Sequence, residues 1–404
     1  MGTKYLVAII FTITALTVIA MSDKQSLQLG FTPNEVKPDV NPQLITNNNK
    51  PKVELVFVLD TTGSMSGLIS AAKEKVWSIA STMAAAKPTP EISIGIVGYR
   101  DKGDLYVTKR VDLSKDLDSV YADLLDFQAD GGGDSPESVN AGLYQAVHGM
   151  SWSNNPNSYK VIFLVGDAPG HNDYQDDVPF DVTLAAAARK GITVNTIQAG
   201  NNPLMVKSWR RIAALGNGDT FQVGQQGSAI AVTTPFDDSI AIASKEYEAS
   251  RIYYGNNQDK ERQKLQEEKT EKIYAGASTS SIARRAKFNA SSGGEDNFIG
   301  RNEMIEALKK KEIVLADMEI DELPLEMQTM KVEEREGYVQ SKMKQRKEAK
   351  LKLKELSEKR DEFITAELAK SSKTKLSLDE KMFATLKSQA EKKGIDYSEA
   401  ESSY

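Results

Sequence analysis

Cysteine is absent from the 404 residues. That excludes disulfides, thiolate metal sites and a lipid-modified cysteine. The absence is compatible with an oxidising compartment without requiring one. Histidine is scarce as well: His148 and His171 are the two in the chain, too few for the usual zinc ligand sets. A surplus of positive charge is also missing, since 51 Lys and Arg face 57 Asp and Glu for a formal net charge of -6. A general nucleic-acid binder would show the opposite balance. No Gly-x-x-x-x-Gly-Lys-Ser/Thr phosphate loop and no internal repeat occurs. The length implies two domains or more.

What is present begins with an uncharged apolar run from Tyr5 to Met21, preceded by Lys4 and followed by Ser22-Asp23-Lys24. The run exceeds most signal-peptide cores (about 7–15 residues) and sits at the short end of a membrane span (about 17–25). Residues 1–22 are therefore expected to be a signal peptide or N-terminal membrane anchor. Ala20-Met21-Ser22 offers small residues for cleavage, and Lys4 favours a cytoplasmic N-terminus. The expected location is exported: periplasmic, extracellular, or held at the membrane by residues 5–21. Gly2 does not make a myristoylation signal, because Leu6 stands where Ser or Thr is needed. Residues 23–52, rich in Asn, Pro, Gln and Lys, read as a flexible linker.

From residue 53, β-rich apolar runs alternate with helical patterns. Strands are expected at 53–59, 92–99, 105–111, 160–166, 192–199 and 220–223, with helices at 66–85, 115–127, 138–149, 182–190 and 204–215. Alternation of this kind predicts an α/β fold, a doubly wound and mostly parallel sheet covered on both faces. The short link between the second and third runs permits an antiparallel pair alone, so one edge strand is reversed. Residues 53–242 are expected to form this domain. Residues 243–404 turn to Lys, Glu, Arg, Gln and Ala, with helices expected at 259–273, 303–311, 335–368 and 379–393. Met343, Leu351, Leu353, Leu356 and Phe363 make an incomplete apolar stripe on the longest. That pattern reads as a solvated, charged helical hairpin or coiled-coil-like region, or as a partner-binding arm.

The chemistry concentrates at the carboxyl edge of the expected sheet, where open α/β folds place their ligands. Asp60-Thr61-Thr62-Gly63-Ser64 ends the first strand, so a carboxylate is followed by hydroxyls two and four residues on. Gly131-Gly132-Gly133-Asp134-Ser135-Pro136-Glu137-Ser138 precedes a helix, and Val165-Gly166-Asp167-Ala168-Pro169 ends another strand. Three loops can thus gather carboxylates and hydroxyls around one small hard cation.

These three ordered motifs resemble the von Willebrand factor type A domain. The resemblance covers about residues 50–240 and implies strand order 3-2-1-4-5-6. Asp60-x-Thr62-x-Ser64 is similar to that family's metal-ion-dependent adhesion site (MIDAS), and Asp167 to its distal aspartate. Tyr99-Arg100-Asp101 and the Gly-rich loop are similar to a bacterial exported subgroup. The family's loop Thr is missing here. Asp134 is the expected contributor, with Ser135 and Glu137 as the other oxygen donors. The implied ion is Mg²⁺ (or Mn²⁺ or Ca²⁺), with an open position that accepts an acidic side chain from a protein partner. The implied function is non-catalytic, metal-dependent adhesion or assembly at the cell envelope, with no nucleic acid involved.

Two other readings compete with this one. Asp60 resembles the nucleophile of Mg²⁺-dependent phosphotransferases, but Thr62 stands where the phosphatases need a second Asp. Alternatively, a scaffold protein could bind through its C-terminal helices and keep a vestigial metal site. Some type A domains are fused to atypical kinases, yet Ser292-Gly293-Gly294-Glu295 lacks the flanking strands of a nucleotide cleft. His171 is expected at the rim of the site and His148 in a structural role, while Trp152 and Trp209 are expected to pack on the sheet.

Overall fold

A computed structural model describes residues 50–133, 135–224, 232–370 and 378–398. The expected N-terminal segment 1–22, nearly all of the linker and Asp134 lie outside the described residues. Through the sheet region the elements are β1 (Lys52–Asp60), α1 (Ser66–Ala84), β2 (Glu91–Tyr99), β3 (Thr108–Ser114), α2 (Leu117–Leu124), α3 (Val139–His148) and β4 (Tyr159–Gly166). They continue with α4 (Phe180–Arg189), β5 (Ile192–Ala199), α5 (Pro203–Leu215) and β6 (Asn217–Val223). The helical remainder is α6 (Asp237–Glu248), α7 (Asn257–Gly276), α8 (Thr279–Ala290), α9 (Glu295–Ile299), α10 (Met304–Lys309), α11 (Leu325–Gln328), α12 (Val332–Lys370) and α13 (Leu378–Glu391).

The six strands lie in the order β3-β2-β1-β4-β5-β6, as expected. β2 and β3 run antiparallel and the other pairs parallel. β1 is buried on both faces, which is why it reads as a continuous apolar run. Leu55, Phe57 and Leu59 face α1 and α2, and Val56 and Val58 face α3, α4 and α5. β3 starts three residues later than expected. Asp104 N–H bonds Asp101 O in a turn, and Leu105, apolar but 87% exposed, belongs to the loop. Its side chain mimics a strand position that the turn has already displaced.

Helix ends follow their sequence signals. Asp116 caps α2 by accepting from Ser119 N–H, Asn202 caps α5 ahead of Pro203, and Asn256 with Asp259 forms a capping box on α7.

The helices after β6 depart from the expected solvated hairpin. They belong to the same compact unit as the sheet. α8 packs on α1, α6 and α12, α7 on α2, and α13 on β6 and α1. Phe288, Met382, Leu386, Ile395 and Tyr397 are buried in the same core as β1 and α1. α12 turns a face made of Val339, Arg346, Ala349, Leu353, Ser357, Arg360 and Ile364 inward. These positions recur mostly every three or four residues, the spacing of one helix face. The apolar stripe looked incomplete because arginine and serine occupy part of it, whereas Leu351 is exposed. Arg346 pairs with Glu303 at 2.7 Å and Arg360 with Asp237 at 2.9 Å, so neither buried charge is uncompensated. Among the described residues no helix is long and apolar enough to cross a membrane.

Candidate metal centre

β1 delivers Asp60 to the carboxyl edge of the sheet, level with Tyr99 of β2. The Asp60 side chain is 0% exposed. Its Oδ1 accepts from Thr62 N–H at 2.9 Å and from Thr62 Oγ1 at 2.7 Å, an Asx-type turn that folds the loop back over the strand end. Thr62 Oγ1 lies 3.5 Å from Ser64 Oγ, so both hydroxyls share one side of the loop. Asp60 Oδ2 is buried and has no hydrogen-bond partner. Burial pushes its pKa up to about 7; the Thr62 bonds and the nearby Asp167 main-chain N–H oppose the shift, and the charge of Asp167 adds to it. Asp167 directly follows β4, the neighbour of β1. The structure therefore brings Asp60, Thr62, Ser64 and Asp167 to one corner of the sheet edge.

The Gly-rich loop is tied to that corner through main-chain bonds. Gly63 N–H donates to Gly131 O at 3.0 Å and Asp130 N–H to Thr61 O at 3.1 Å. Gly132 has φ of +74°, and a Cβ there would lie 2.7 Å from Thr62 Cβ and 3.3 Å from Glu137 Oε1. Only glycine fits between those two side chains. Glu137 is locked by its own N–H to Pro169 O and by its O from His171 N–H, each 2.9 Å. The side chain is 4% exposed, and its Oε2 has no partner. Burial, followed by the charges of Asp60, Asp101, Asp167 and Asp104, pushes its pKa up to about 8. Tyr99, beneath the same acids, is pushed well above its ordinary value, mainly by burial.

Several supporting residues carried no assigned role in the sequence. Arg100 braces the loop from below, with Nε donating to Thr61 O at 3.1 Å and Nη2 to Gln128 O at 2.8 Å. Asp101 accepts from Tyr174 OH at 2.9 Å and from Ser138 Oγ at 3.1 Å. His171 is buried rather than at an open rim. Its Nδ1 lies 2.8 Å from Asp173, its Nε2 3.5 Å from Asp101, and its ring stacks on Tyr174. The Tyr99-Arg100-Asp101 motif was the one available signal for this layer. Of the remaining expectations, Trp209 is fully buried against the sheet and Trp152 partly so. His148 is exposed at the end of α3, stacked on Tyr144.

The residues fit a hard divalent cation. Two buried carboxylate oxygens without partners, two adjacent hydroxyls and two raised pKa values describe negative charge that the protein alone leaves uncompensated. Among the described residues, no three His, Cys, Asp or Glu side chains form a metal-holding group by themselves. A site that counts Thr62 and Ser64 among its donors does not require such a trio.

The strand order and the mostly parallel, doubly covered sheet are those of the von Willebrand factor type A fold. Residues 54–231 match the family model described as von Willebrand factor A domain, a family whose members are in general interaction modules. The chain is 28% identical over 121 residues to the Dictyostelium discoideum alpha-protein kinase vwkA, a match spanning 30% of this chain and 19% of that kinase. Among solved structures it is similar to the VWA domain of SpRpn10 at 12% identity and TM-score 0.33, covering 44% of this chain and 89% of that one. It is also similar to proximal thread matrix protein 1 of the mussel byssus, in a form with a zinc-occupied MIDAS motif. That match has 13% identity and TM-score 0.33, covering 43% and 41% of the two chains.

Proposed function

We propose that the chain is a non-catalytic, divalent-metal-dependent protein-binding module, exported to the cell envelope and used in adhesion or assembly. The observation that carries this reading is the buried, unpartnered Oδ2 of Asp60 beside the Thr62 and Ser64 hydroxyls. Asp60, Thr62, Ser64 and Asp167 would hold the ion, and Asp134 or Glu137 would stand in for the missing loop Thr. When bound, the cation supplies a Lewis-acidic contact that an acidic side chain of a protein partner can complete. The neutral hydroxyls leave its charge under-compensated, while Glu137 adds negative charge and tempers the pull on an anionic partner. Mg²⁺ suits hydroxyl and water ligands best, with Mn²⁺ and Ca²⁺ as alternatives. Arg100 and Gly132 keep the loop in place, and neither spends its interactions on the ion's donors.

The phosphotransferase reading has less support, because Asp60 is fully buried with Oδ1 already engaged by Thr62. The scaffold reading has less support because the inward face of α12 is already covered by α6 and α8.

The test is isothermal titration of the full chain, stripped with EDTA, with Mg²⁺, Mn²⁺ and Ca²⁺, beside Asp60→Ala and the near-isosteric Asp60→Asn. Saturable one-to-one binding, lost in both variants, is expected. Equal affinity in Asp60→Asn, or no binding to the parent chain, would overturn the reading.

A further inference from the structure

At the opposite, amino-terminal edge of the sheet, where β4 and β5 begin, lies a cavity of about 480 Å³. Lys160, Arg189, Lys190 and Lys393 line it, together with Trp152, Ser153 and Asn154. In a chain of net charge -6, this is a concentration of positive charge that needs a reason. Among the described residues none of the four cations makes an ion pair with a carboxylate.

Main-chain carbonyls hold the ammonium groups in place instead. Lys190 Nζ donates to Val147 O at 2.7 Å, near the C-terminus of α3, and Lys393 Nζ to Pro156 O at 3.0 Å. Lys160, only 5% exposed, donates to Ser153 O and to Lys190 O. An ammonium has three donors, so each of these groups keeps at least one to spare. Glu54, the acid that draws on Lys160, is spent on Ser153, accepting from its N–H and its hydroxyl at 3.0 Å each. The cations also feel one another. Burial first, then Lys393 and Lys190, lowers the Lys160 pKa against the pull of Glu54. Burial followed by Lys190 and Arg189 lowers that of His148.

We propose that this cavity binds a phosphate monoester or diester. A phosphate group offers several acceptor oxygens to an arginine and clustered lysines, whose charge-assisted bonds are the strong ones. The cavity volume falls in the range of small-ligand sites and exceeds the need of a bare phosphate. Ser153, Asn154 and Trp152 therefore remain available to the esterified part. Two sources share this chemistry: a soluble phosphorylated metabolite and the headgroup of an anionic phospholipid. The site is independent of the metal centre, and its test runs in EDTA.

Glycerol 3-phosphate is titrated into the full chain at matched chloride. Separately, the chain is co-sedimented with phosphatidylcholine vesicles with and without phosphatidylglycerol. The variant is Arg189→Gln/Lys393→Gln, both exposed positions, with the buried Lys160 left intact. Lys344→Gln/Lys354→Gln on α12 removes the same charge elsewhere. Saturable binding by the parent and the α12 variant, weakened about tenfold or more in the cavity variant at unchanged melting temperature, is expected from lost charged hydrogen bonds. Binding of glycerol 3-phosphate without vesicle binding assigns the soluble source. Phosphatidylglycerol-dependent sedimentation that glycerol 3-phosphate competes away assigns the lipid. No binding of either probe, equal loss in both variants, or full retention in the cavity variant overturns the proposal.

Discussion

Arg285→Met tests whether the C-terminal helices are clamped to the sheet by charge. The Arg285 guanidinium is 0% exposed. Its Nε and Nη2 each donate to Asp118 at 2.6 Å, and its Nη1 donates to Glu248, joining α8 to α2 and α6 at once. Methionine keeps much of the volume but leaves the buried Asp118 without its cation, while Glu248 keeps only Arg251 at 4.0 Å. Breaking one member of a buried ion cluster costs about 3–5 kcal/mol. With an m-value of about 3 kcal/mol/M in urea, the midpoint should fall by about 1–1.7 M. Urea unfolding is followed by far-UV circular dichroism and by tryptophan fluorescence. The rings of Trp77 of α1 and Phe288 of α8 have centroids 5.7 Å apart, so the fluorescence includes this junction. The two curves should coincide. Removing the facing charge in Arg285→Met/Asp118→Asn should recover most of the loss, because desolvated charge rather than lost packing causes it. A single-variant cost below about 1 kcal/mol, or no recovery in the double variant, would refute the clamp.

Metal-free protein in chelator should become more stable as pH falls from 8 toward 5. Asp60 and Glu137 ionise less readily folded than unfolded, with pKa values near 7 and 8. Above the unfolded value near 4 the native state holds the extra proton, so stability declines with rising pH. Asp60 alone accounts for about 4 kcal/mol over its full range, and saturating Mg²⁺ should flatten the profile. Melting curves at each pH check this, and a rise in stability toward pH 8 without metal would contradict it. Gly132→Ala forces a Cβ to 2.7 Å from Thr62 Cβ at φ of +74°. A loss of about 1–3 kcal/mol together with weaker Mg²⁺ binding is expected by urea unfolding and titration, and an unchanged affinity would separate the loop from the site.

The sheet was legible because its strands end in abrupt chemical changes. An apolar run closed by Asp60-Thr61-Thr62 or by Gly166-Asp167 admits few other readings. β3 was misplaced because Leu105 has the side chain of a strand residue and the environment of a loop residue, a distinction the Asp101–Asp104 turn makes and composition does not. At the candidate metal centre the spacing points to Asp60, Thr62 and Ser64, which the structure places together at the sheet edge. Glu137 stood only as an alternative to Asp134, since a Glu at a helix start looks like an ordinary first-turn acid. What distinguishes it is tertiary: the bonds to Pro169 and His171 that hold it buried with an oxygen unmet.

The helical tail shows the converse failure, in which polarity conceals a core. Sequence periodicity counts hydrophobic residues, so a helix face containing Arg346, Ser357 and Arg360 scores as solvated. Each guanidinium is nevertheless matched to carboxylates from another element, Arg346 to Glu303 and Glu306 and Arg360 to Asp237. An apolar face could slide by a turn and find comparable packing, whereas a buried arginine displaced from its carboxylate leaves two charges uncompensated. Ion pairs of this kind therefore set the register of α12 on α6 and on the start of α10 even where they add little net stability. Together with the burial of Phe288, Met382 and Tyr397 against the sheet side of the molecule, they make the tail part of the domain's own core. A fragment ending near residue 242 would expose that core, so metal binding is a property to be measured on the whole chain.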